Sequence, residues 1–156
     1  PDESATAYVK RLALEKAAEI AKTHPEAIII GSDQCAYLKG EILGKPGNHE
    51  NAIQQLTNAR NEEVVFYTGL AVIQQSTQFS EVDCKEFRVG FRDVSDQQIE
   101  HYLKVEQPYN CAGSFKSEGY GICLFKYLSG DDPSALIGLP LIRLIAMLEK
   151  CGVAVV

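Results

Sequence analysis

An aspartate and a lysine stand close together in this chain, at a spacing that could place both in one site. Asp33 follows the apolar run 27–30, and Lys45 lies twelve residues later, between Gly44 and Pro46. A carboxylate can accept a proton or bind a cation, and a lysine can hold an anion. The pattern therefore favours a site for a small anionic ligand. It also fits two ordinary surface turns, because aspartate and Gly-Lys-Pro are common in turns.

The position of Asp33 depends on the strand expected before it. Residues 27–30 are apolar without alternation, which predicts a short strand buried on both faces at the centre of a sheet. Open α/β sheets bind ligands where such strands end. The prediction thus places Asp33 and the amide of Gln34 at a ligand-binding edge. A hairpin-like turn is expected at 39–40.

Residues 6–24 have the periodicity of an amphipathic helix, which brings a second cation into consideration. The apolar stripe of this helix consists of Val9, Leu12, Ala13, Ala17 and Ile20. Lys16 falls in the middle of that stripe. Its side chain either extends past its neighbours to solvent or reaches an internal site. Since the following strand would carry Asp33 near this face, Lys16 is a candidate binding residue.

A glycine-rich loop, CAGSFKSEGYG, carries two further charged candidates. It spans 111–121 and contains Lys116 and Glu118. Glycines allow the backbone to approach a ligand closely, and the same composition is typical of an ordinary mobile loop. The loop by itself leaves both interpretations open.

The rest of the chain predicts an α/β fold with a mixed twisted sheet, flanking helices and a long antiparallel hairpin. The predicted elements are strands at 63–73, 79–91 and 122–128, helices that begin after the N-caps Asn48 and Ser95, a turn at 130–133 and a closing helix at 139–150. These elements have to position the charged candidates.

Length, composition and charge bound the class of protein. The 156 residues are enough for one domain with a buried core. Hydrophobic residues make up 46%, but no apolar run is long enough to cross a bilayer. A net charge of −6 without a basic cluster argues against a nucleic-acid surface, although a few lysines could still bind a small anion. Five scattered cysteines without metal-ligand spacing are typical of reduced thiols, so a cytoplasmic protein is expected.

Seven short motifs follow one another along nearly the whole chain. They are Leu12-Ala13-x-x-Lys16-Ala17, Gly31-Ser32-Asp33-Gln34, Gly44-Lys45-Pro46, Tyr67-Thr68-Gly69-Leu70-Ala71, Val89-x-Phe91-Arg92, Cys111-Ala112-Gly113-Ser114-Phe115 and Gly138-Leu139-Pro140-Leu141. Together they resemble the Maf family of nucleoside triphosphate pyrophosphatases. Within that family, Ser-Asp-Gln paired with Cys-Ala-Gly-Ser-Phe-Lys-Ser-Glu-Gly is similar to the branch that acts on 7-methyl-GTP.

The resemblance implies a Maf/ITPase-like fold with a cleft, and hydrolysis of the α–β phosphoanhydride of a nucleotide. Asp33 would be the catalytic proton acceptor or a metal ligand, with a divalent cation, Mg²⁺ or Mn²⁺, as cofactor. The implied substrate-binding residues are Lys16, Gln34, Lys45, Lys116 and Glu118. Lys16 and Lys45 would face the phosphates, whereas Gln34 and Glu118 would select the base. The implied partner is a small nucleotide, with no nucleic acid and no membrane, and a homodimer is compatible with the resemblance.

The chain departs from the family's pattern at its beginning. Family members open with a strand and a Ser-x-Ser-x-Arg-Arg-like loop that contacts phosphates, whereas this sequence begins with Pro1 and has no such motif. Residues 1–156 are therefore expected to form a single Maf-like domain without that strand and loop. Two other functions stay open on the sequence. One is a dTTP or UTP pyrophosphatase of the same family, and the other is a non-catalytic nucleotide-binding regulator of cell division.

Overall fold

A computed structural model describes residues 3–156 of the chain. The helices are α1 (Ala5–Ala21), α2 (His49–Ala59), α3 (Asp96–Glu106), α4 (Pro133–Ile137) and α5 (Leu141–Lys150), and the strands are β1 (Ile29–Leu38), β2 (Glu41–Leu43), β3 (Glu63–Gln74), β4 (Phe79–Phe91) and β5 (Phe125–Ser129). Short 3-10 turns lie at Gln75–Thr77, Ala112–Ser114 and Tyr120–Leu124. The predicted α/β class is confirmed.

The five strands form one sheet in the order β2-β1-β3-β4-β5. The pairs β1–β2 and β4–β5 are antiparallel, with Tyr37 opposite Ile42 and Val89 opposite Leu128. The neighbours β3 and β4 are joined by the turn Gln75–Thr77, which confirms the predicted long hairpin. The turn between β1 and β2 is also confirmed, because Lys39 and Gly40 both have the positive φ angles that a tight hairpin turn requires.

The chain divides into two compact units. The first contains residues up to Gln34, 67–86 and 131–156, and the second contains 35–66 and 87–130. In the first unit, the described core includes a cluster of Leu70, Val72, Leu144 and Met147 and a cluster of Ala13, Ala17 and Ala71. In the second unit, Phe66, Phe91 and Phe125 each lie edge-on to a neighbouring phenylalanine ring, and Phe115 contacts all three.

The sequence-based prediction for the first strand is wrong in its extent and burial. Strand β1 begins at Ile29 and continues through Asp33 to Leu38, and Ile30 is 44% exposed. The centre of the sheet is β3 rather than β1. The physical reason is that β2 is short and pairs with β1 only over 36–38, so β2 does not flank the first half of β1, and within 29–34 only Gly31 is buried.

Local hydrogen bonding confirms the predicted helix starts after Asn48 and Ser95. The Asn48 side chain accepts a hydrogen bond from Asn51 N, and Ser95 forms a reciprocal capping box with Gln98. The predicted helix at 6–24 is confirmed as α1, which ends earlier, at Ala21. One member of its expected apolar stripe, Ile20, is 50% exposed, so its predicted inward position is wrong.

Three boundaries near the end of the chain differ from the prediction. The strand expected at 122–128 begins at Phe125, because a 3-10 turn occupies Tyr120–Leu124. The turn at 130–133 leads into α4, which the pattern did not predict and which Asp132 caps by accepting from Ser134 N. The closing helix starts at Leu141 after Pro140.

Two predictions about the whole chain stay predictions, namely the single domain and the absent strand and loop of the family. No helix within residues 3–156 is long and apolar enough to cross a membrane.

Candidate functional site

Lys16 and Asp33 form an ion pair in the first unit, as their motif positions imply. The Nζ atom of Lys16 lies 2.5 Å from Oδ1 of Asp33. The lysine side chain is 58% exposed, whereas the aspartate side chain is 16% exposed. Lys16 therefore reaches from the solvent-exposed side of α1 to a partly buried carboxylate. Its ammonium group has three protons, so two can still be donated to an anion.

The close packing of α1 on β1 explains how this pair forms. A Cβ atom on Gly31 would lie 2.3 Å from the backbone oxygen of Ala13 and 2.9 Å from the Ala17 side chain. Only glycine therefore allows this approach. Because side chains alternate along a strand, Asp33 lies on the same face as Gly31. Lys16, between Ala13 and Ala17 on the helix, is thus within reach of the carboxylate.

The opposite face of β1 is bound to the segment around α4. The Ser32 hydroxyl oxygen lies 3.0 Å from Gly69 O and 2.7 Å from Gly138 O, so its single proton is shared between these two backbone acceptors. The amide nitrogen of Gln34 lies 3.0 Å from Thr68 Oγ1, 2.9 Å from Ala135 O and 3.1 Å from Leu136 O. These acceptors occupy the amide protons, which leaves the Gln34 carbonyl oxygen to offer to a ligand. The base-selecting role of Gln34 stays a prediction.

In the second unit, Lys45 is exposed on a loop whose backbone is held on both sides. Gly44 O accepts a hydrogen bond from Gln55 Nε2 at 3.0 Å, and Pro46 O accepts one from Asn51 Nδ2 at 3.1 Å. Gly47 N donates to Tyr109 O at 3.0 Å. The cation is therefore carried by an ordered backbone, although its own side chain extends into solvent.

Two side chains of α3 hold the loop that carries Lys116 and Glu118. Tyr102 accepts a hydrogen bond from Lys116 N at 3.0 Å, and Glu106 accepts one from Tyr120 N at 2.9 Å. Residues four apart on a helix share a face, so Tyr102 and Glu106 form one docking edge. The carboxylate of Glu106 also lies 3.9 Å from the Lys116 ammonium group. Burial raises the pKa of Tyr102, which keeps its hydroxyl neutral.

Charged side chains of this loop and of the Lys45 loop shift the pKa of one thiol, that of Cys111. Burial raises the pKa of Cys111, while Lys116 and Lys45 lower it and Glu118 and Glu106 raise it. Within the second unit, charges of both signs from these loops thus act on the same thiol. Glu118 itself is exposed, and its carboxylate accepts a hydrogen bond from the Ser117 hydroxyl at 3.2 Å.

The donor set fits a divalent cation that arrives with a triphosphate. Among residues 3–156, no group of three or more His, Cys, Asp or Glu side chains is arranged to hold a metal ion. Magnesium sites of nucleotide enzymes use one or two carboxylates together with substrate phosphates and water. Asp33 can supply one such carboxylate. The same residues do not fit a metal centre built from protein ligands alone.

The side chains that support these loops were not predicted from the sequence, and Gln55 and Glu106 are examples. Gln55 falls in the buried stripe of α2 with Ala52, Leu56 and Ala59. A polar residue within an apolar stripe is the signal that could have identified it, as it did for Lys16. Glu106 gives no comparable signal, because its partner Tyr120 N lies in an irregular segment.

Comparisons with known proteins support a single family. A family model described as Maf-like protein matches residues 1–151. A 7-methyl-GTP pyrophosphatase of Pseudomonas savastanoi pv. phaseolicola is 54% identical over 154 residues, which is 99% of this chain and 80% of the relative. Proteins of the same name from Colwellia psychrerythraea and Methylobacillus flagellatus are 51% and 56% identical, over 99% and 94% of this chain and 77% and 76% of those relatives.

Proposed function

The chain belongs to the Maf family, and from that premise we propose that it hydrolyses 7-methyl-GTP to 7-methyl-GMP and pyrophosphate. The names of its relatives support the substrate. The ion pair of Lys16 and Asp33 is the structural observation that carries the chemistry, since it combines a partly buried carboxylate with a solvent-accessible cation. Pyrophosphate release from 7-methyl-GTP is the direct test.

In this proposal Asp33 accepts a proton from the attacking water. Oδ1 is held by Lys16, which leaves Oδ2 to face the water. As the water oxygen bonds to phosphorus, its proton passes to the carboxylate, the bridging P–O bond of the α–β anhydride breaks, and pyrophosphate leaves. General base catalysis of this kind contributes about 10²–10⁴-fold to a rate.

The lysines supply the positive charge that a triphosphate requires. Lys16 can keep one proton on Asp33 and donate others to phosphate oxygens, which fixes the anion beside the base. Within the second unit, Lys45 and Lys116 are assigned to the same role, because each projects from a loop whose backbone is fixed by hydrogen bonds. A bound Mg²⁺ or Mn²⁺ would be held by Asp33 with substrate oxygens and would neutralise phosphate charge.

Glu118 is assigned to recognition of the base. Methylation at N7 gives the guanine ring a positive charge, so a carboxylate beside the ring favours it over unmethylated guanine. Glu118 is exposed and is held by Ser117, which leaves most of its acceptor capacity available. The free energy at stake is about 1–3 kcal/mol, which is enough to decide between two related substrates.

The experiment measures kcat/KM for 7-methyl-GTP, GTP, dTTP and UTP, with wild type, Glu118→Ala and the control Glu41→Ala. Glu41 is also exposed in the second unit, so it controls for a general loss of negative charge. We expect wild type and the control to prefer 7-methyl-GTP, and Glu118→Ala to lose most of that preference by hydrolysing the methylated substrate more slowly.

The other outcomes identify the alternatives. Equal rates on GTP and 7-methyl-GTP, or a preference for dTTP or UTP, would move the protein to another branch of the family. Nucleotide binding without pyrophosphate release would favour a non-catalytic regulator of cell division. A cytoplasmic location is part of the proposal, supported by the absence of disulfides among the five cysteines, all of which lie in the described chain.

A further inference from the structure

One side chain connects the two loops of the second unit that carry the candidate binding residues. The amide of Gln55, on α2, donates through Nε2 to Gly44 O at 3.0 Å and accepts through Oε1 from the Ser114 hydroxyl at 2.5 Å. Gly44 precedes Lys45, and Ser114 lies two residues before Lys116. Both ends of one amide are therefore used, one on each loop.

The two loops also contact each other at the point that Gln55 bridges. Gly113 N donates to Gly44 O at 3.4 Å, so this carbonyl accepts from both the loop and the helix. Gly44 O is thus the common acceptor that sets the distance between the two loop backbones. The hydrogen bond from Gly113 N is long and therefore weak. Its alignment depends on the stronger hydrogen bond that the Gln55 side-chain amide donates to the same oxygen.

The backbone at Ser114 shows that this arrangement is held by its partners. Ser114 is fully buried and has a φ of 66°, in the left-handed region that non-glycine residues rarely occupy. Such a conformation persists where surrounding contacts enforce it. The hydroxyl of Ser114 finds its acceptor in Gln55, so loss of that acceptor removes one of the contacts that hold the strained residue.

We propose that Gln55 is a positioning residue that fixes Lys45 relative to the Lys116–Glu118 loop, and so sets how well a nucleotide triphosphate is bound. The inference rests on the proposed function, since it assigns a role to those charged residues. Gln55 itself touches no reacting group and acts through the two loops. Misplacement of binding groups by about 1 Å can cost about a hundredfold in rate, so the expected effect is large for a remote residue.

The principal variant is Gln55→Met, which keeps the length of the side chain but removes both hydrogen bonds. Gln54→Met is the matched control, because its side chain lies next along α2 and is exposed. We expect Gln55→Met to lower kcat/KM for 7-methyl-GTP by about ten- to a hundredfold. If Gln55→Met does not fold, Gln55→Glu replaces it, because the carboxylate still accepts from Ser114 but cannot donate to Gly44.

A double variant tests whether the effect passes through Lys45. If Gln55 acts by positioning this lysine, adding Gln55→Met to Lys45→Met should cost much less than Gln55→Met costs in the wild-type background. Fully additive losses, or a Gln55→Met enzyme with wild-type kcat/KM, would overturn the proposal. A general loss of stability would lower activity in both backgrounds and would give additivity.

Hydrogen exchange separates this proposal from the proposed function, because it needs no activity. In Gln55→Met, the Gly113 and Gly47 amides should exchange faster than in wild type, while the amide of Val64, in the buried part of β3, should not change. Unchanged exchange at Gly113 would refute the coupling even in an active enzyme. Faster exchange in a protein that does not hydrolyse 7-methyl-GTP would support the coupling and refute only the function.

Discussion

At the scale of single residues, Asp33 combines partial burial with one oxygen already held by Lys16. Asp33→Asn keeps the shape of the side chain but removes its ability to accept a proton. We expect kcat for pyrophosphate release to fall by about a hundredfold or more. The melting temperature should change little, because the partner lysine is largely exposed and such ion pairs contribute little to stability. A near-normal kcat would remove Asp33 from the catalytic role.

Lys16 allows a second prediction at this scale. Lys16→Gln removes the charge while keeping a group that can donate to Asp33. Since a hydrogen bond to a charged group contributes about 1.5–3 kcal/mol, the Kd for 7-methyl-GTP should rise about tenfold or more. The Kd for the nucleoside 7-methylguanosine should not change. Calorimetric titration of both ligands provides the measurement, and an equal loss for both would contradict phosphate binding.

Lys22→Gln is the control for this experiment. Lys22 is the C-cap of α1 and also pairs with a carboxylate, but its side chain is 68% exposed and contacts Glu19 rather than Asp33. It should leave both affinities unchanged.

At the scale of elements, the contact between α1 and β1 decides whether the ion pair can form. In Gly31→Ala the new Cβ would meet backbone and side-chain atoms of α1, the nearest at 2.3 Å. Backbone atoms cannot rotate away, so the helix or the strand must shift. Overpacking of this kind costs about 1–3 kcal/mol or more, and the free energy of unfolding in urea should fall accordingly.

The control for this prediction is Gly44→Ala, since no atom lies within 4 Å of a Cβ at that position. Its free energy of unfolding should stay close to that of wild type. If Gly31→Ala were as stable as Gly44→Ala, the close packing of α1 on β1 would not be the feature that positions Lys16.

The elements also show which parts of the fold could be predicted from the sequence. Helices with a clear cap and an apolar stripe, such as α2 and α3, were predicted because their signals are local. The extent of β1 was not, because its polar residues Ser32 and Gln34 have partners about 100 residues away in the chain. A local sequence pattern does not contain such contacts. A polar run inside a strand therefore looks, in the sequence, like the end of that strand.

In the candidate site, too, some residues could be predicted from the sequence and others could not. Lys16 was identified because a charge within an apolar stripe is visible in the sequence, and the structure pairs it with Asp33. Tyr102 and Glu106 were not assigned to the Lys116 loop, because each accepts a hydrogen bond from a backbone amide of the loop rather than from a side chain. Backbone groups are the same at every position, so their partners cannot be recognised by residue type.

At the scale of the whole molecule, stability should depend on pH through an ion cluster of the first unit. Lys150 and Arg143, both on α5, donate to Glu81 of β4 and lower the pKa of its carboxyl. Because the folded-state pKa lies below the unfolded value, the stabilisation is complete above the unfolded pKa. It is lost as the pH falls through the folded pKa.

We therefore expect the melting temperature of wild type to decline below about pH 4.5, the ordinary pKa of a glutamate. In Glu81→Gln the decline should be shallower, so that the two curves approach each other in acid. Glu149→Gln, which changes an exposed carboxylate on α5, should follow wild type. Parallel curves for wild type and Glu81→Gln would show that this cluster does not contribute to acid sensitivity.

The alternation of faces along β1 also limits how this protein can change length during evolution. Gly31 and Asp33 contact α1 on one side of the strand. Ser32 and Gln34 form hydrogen bonds with α4 and its flanking residues on the other side. An insertion or deletion of one residue within the strand would exchange the two sets, placing Asp33 against the wrong layer. Length changes of an even number of residues preserve the assignment of faces. Related sequences should therefore vary in length before Ile29 or after Leu38. Between these two residues, any difference in length should be an even number of residues.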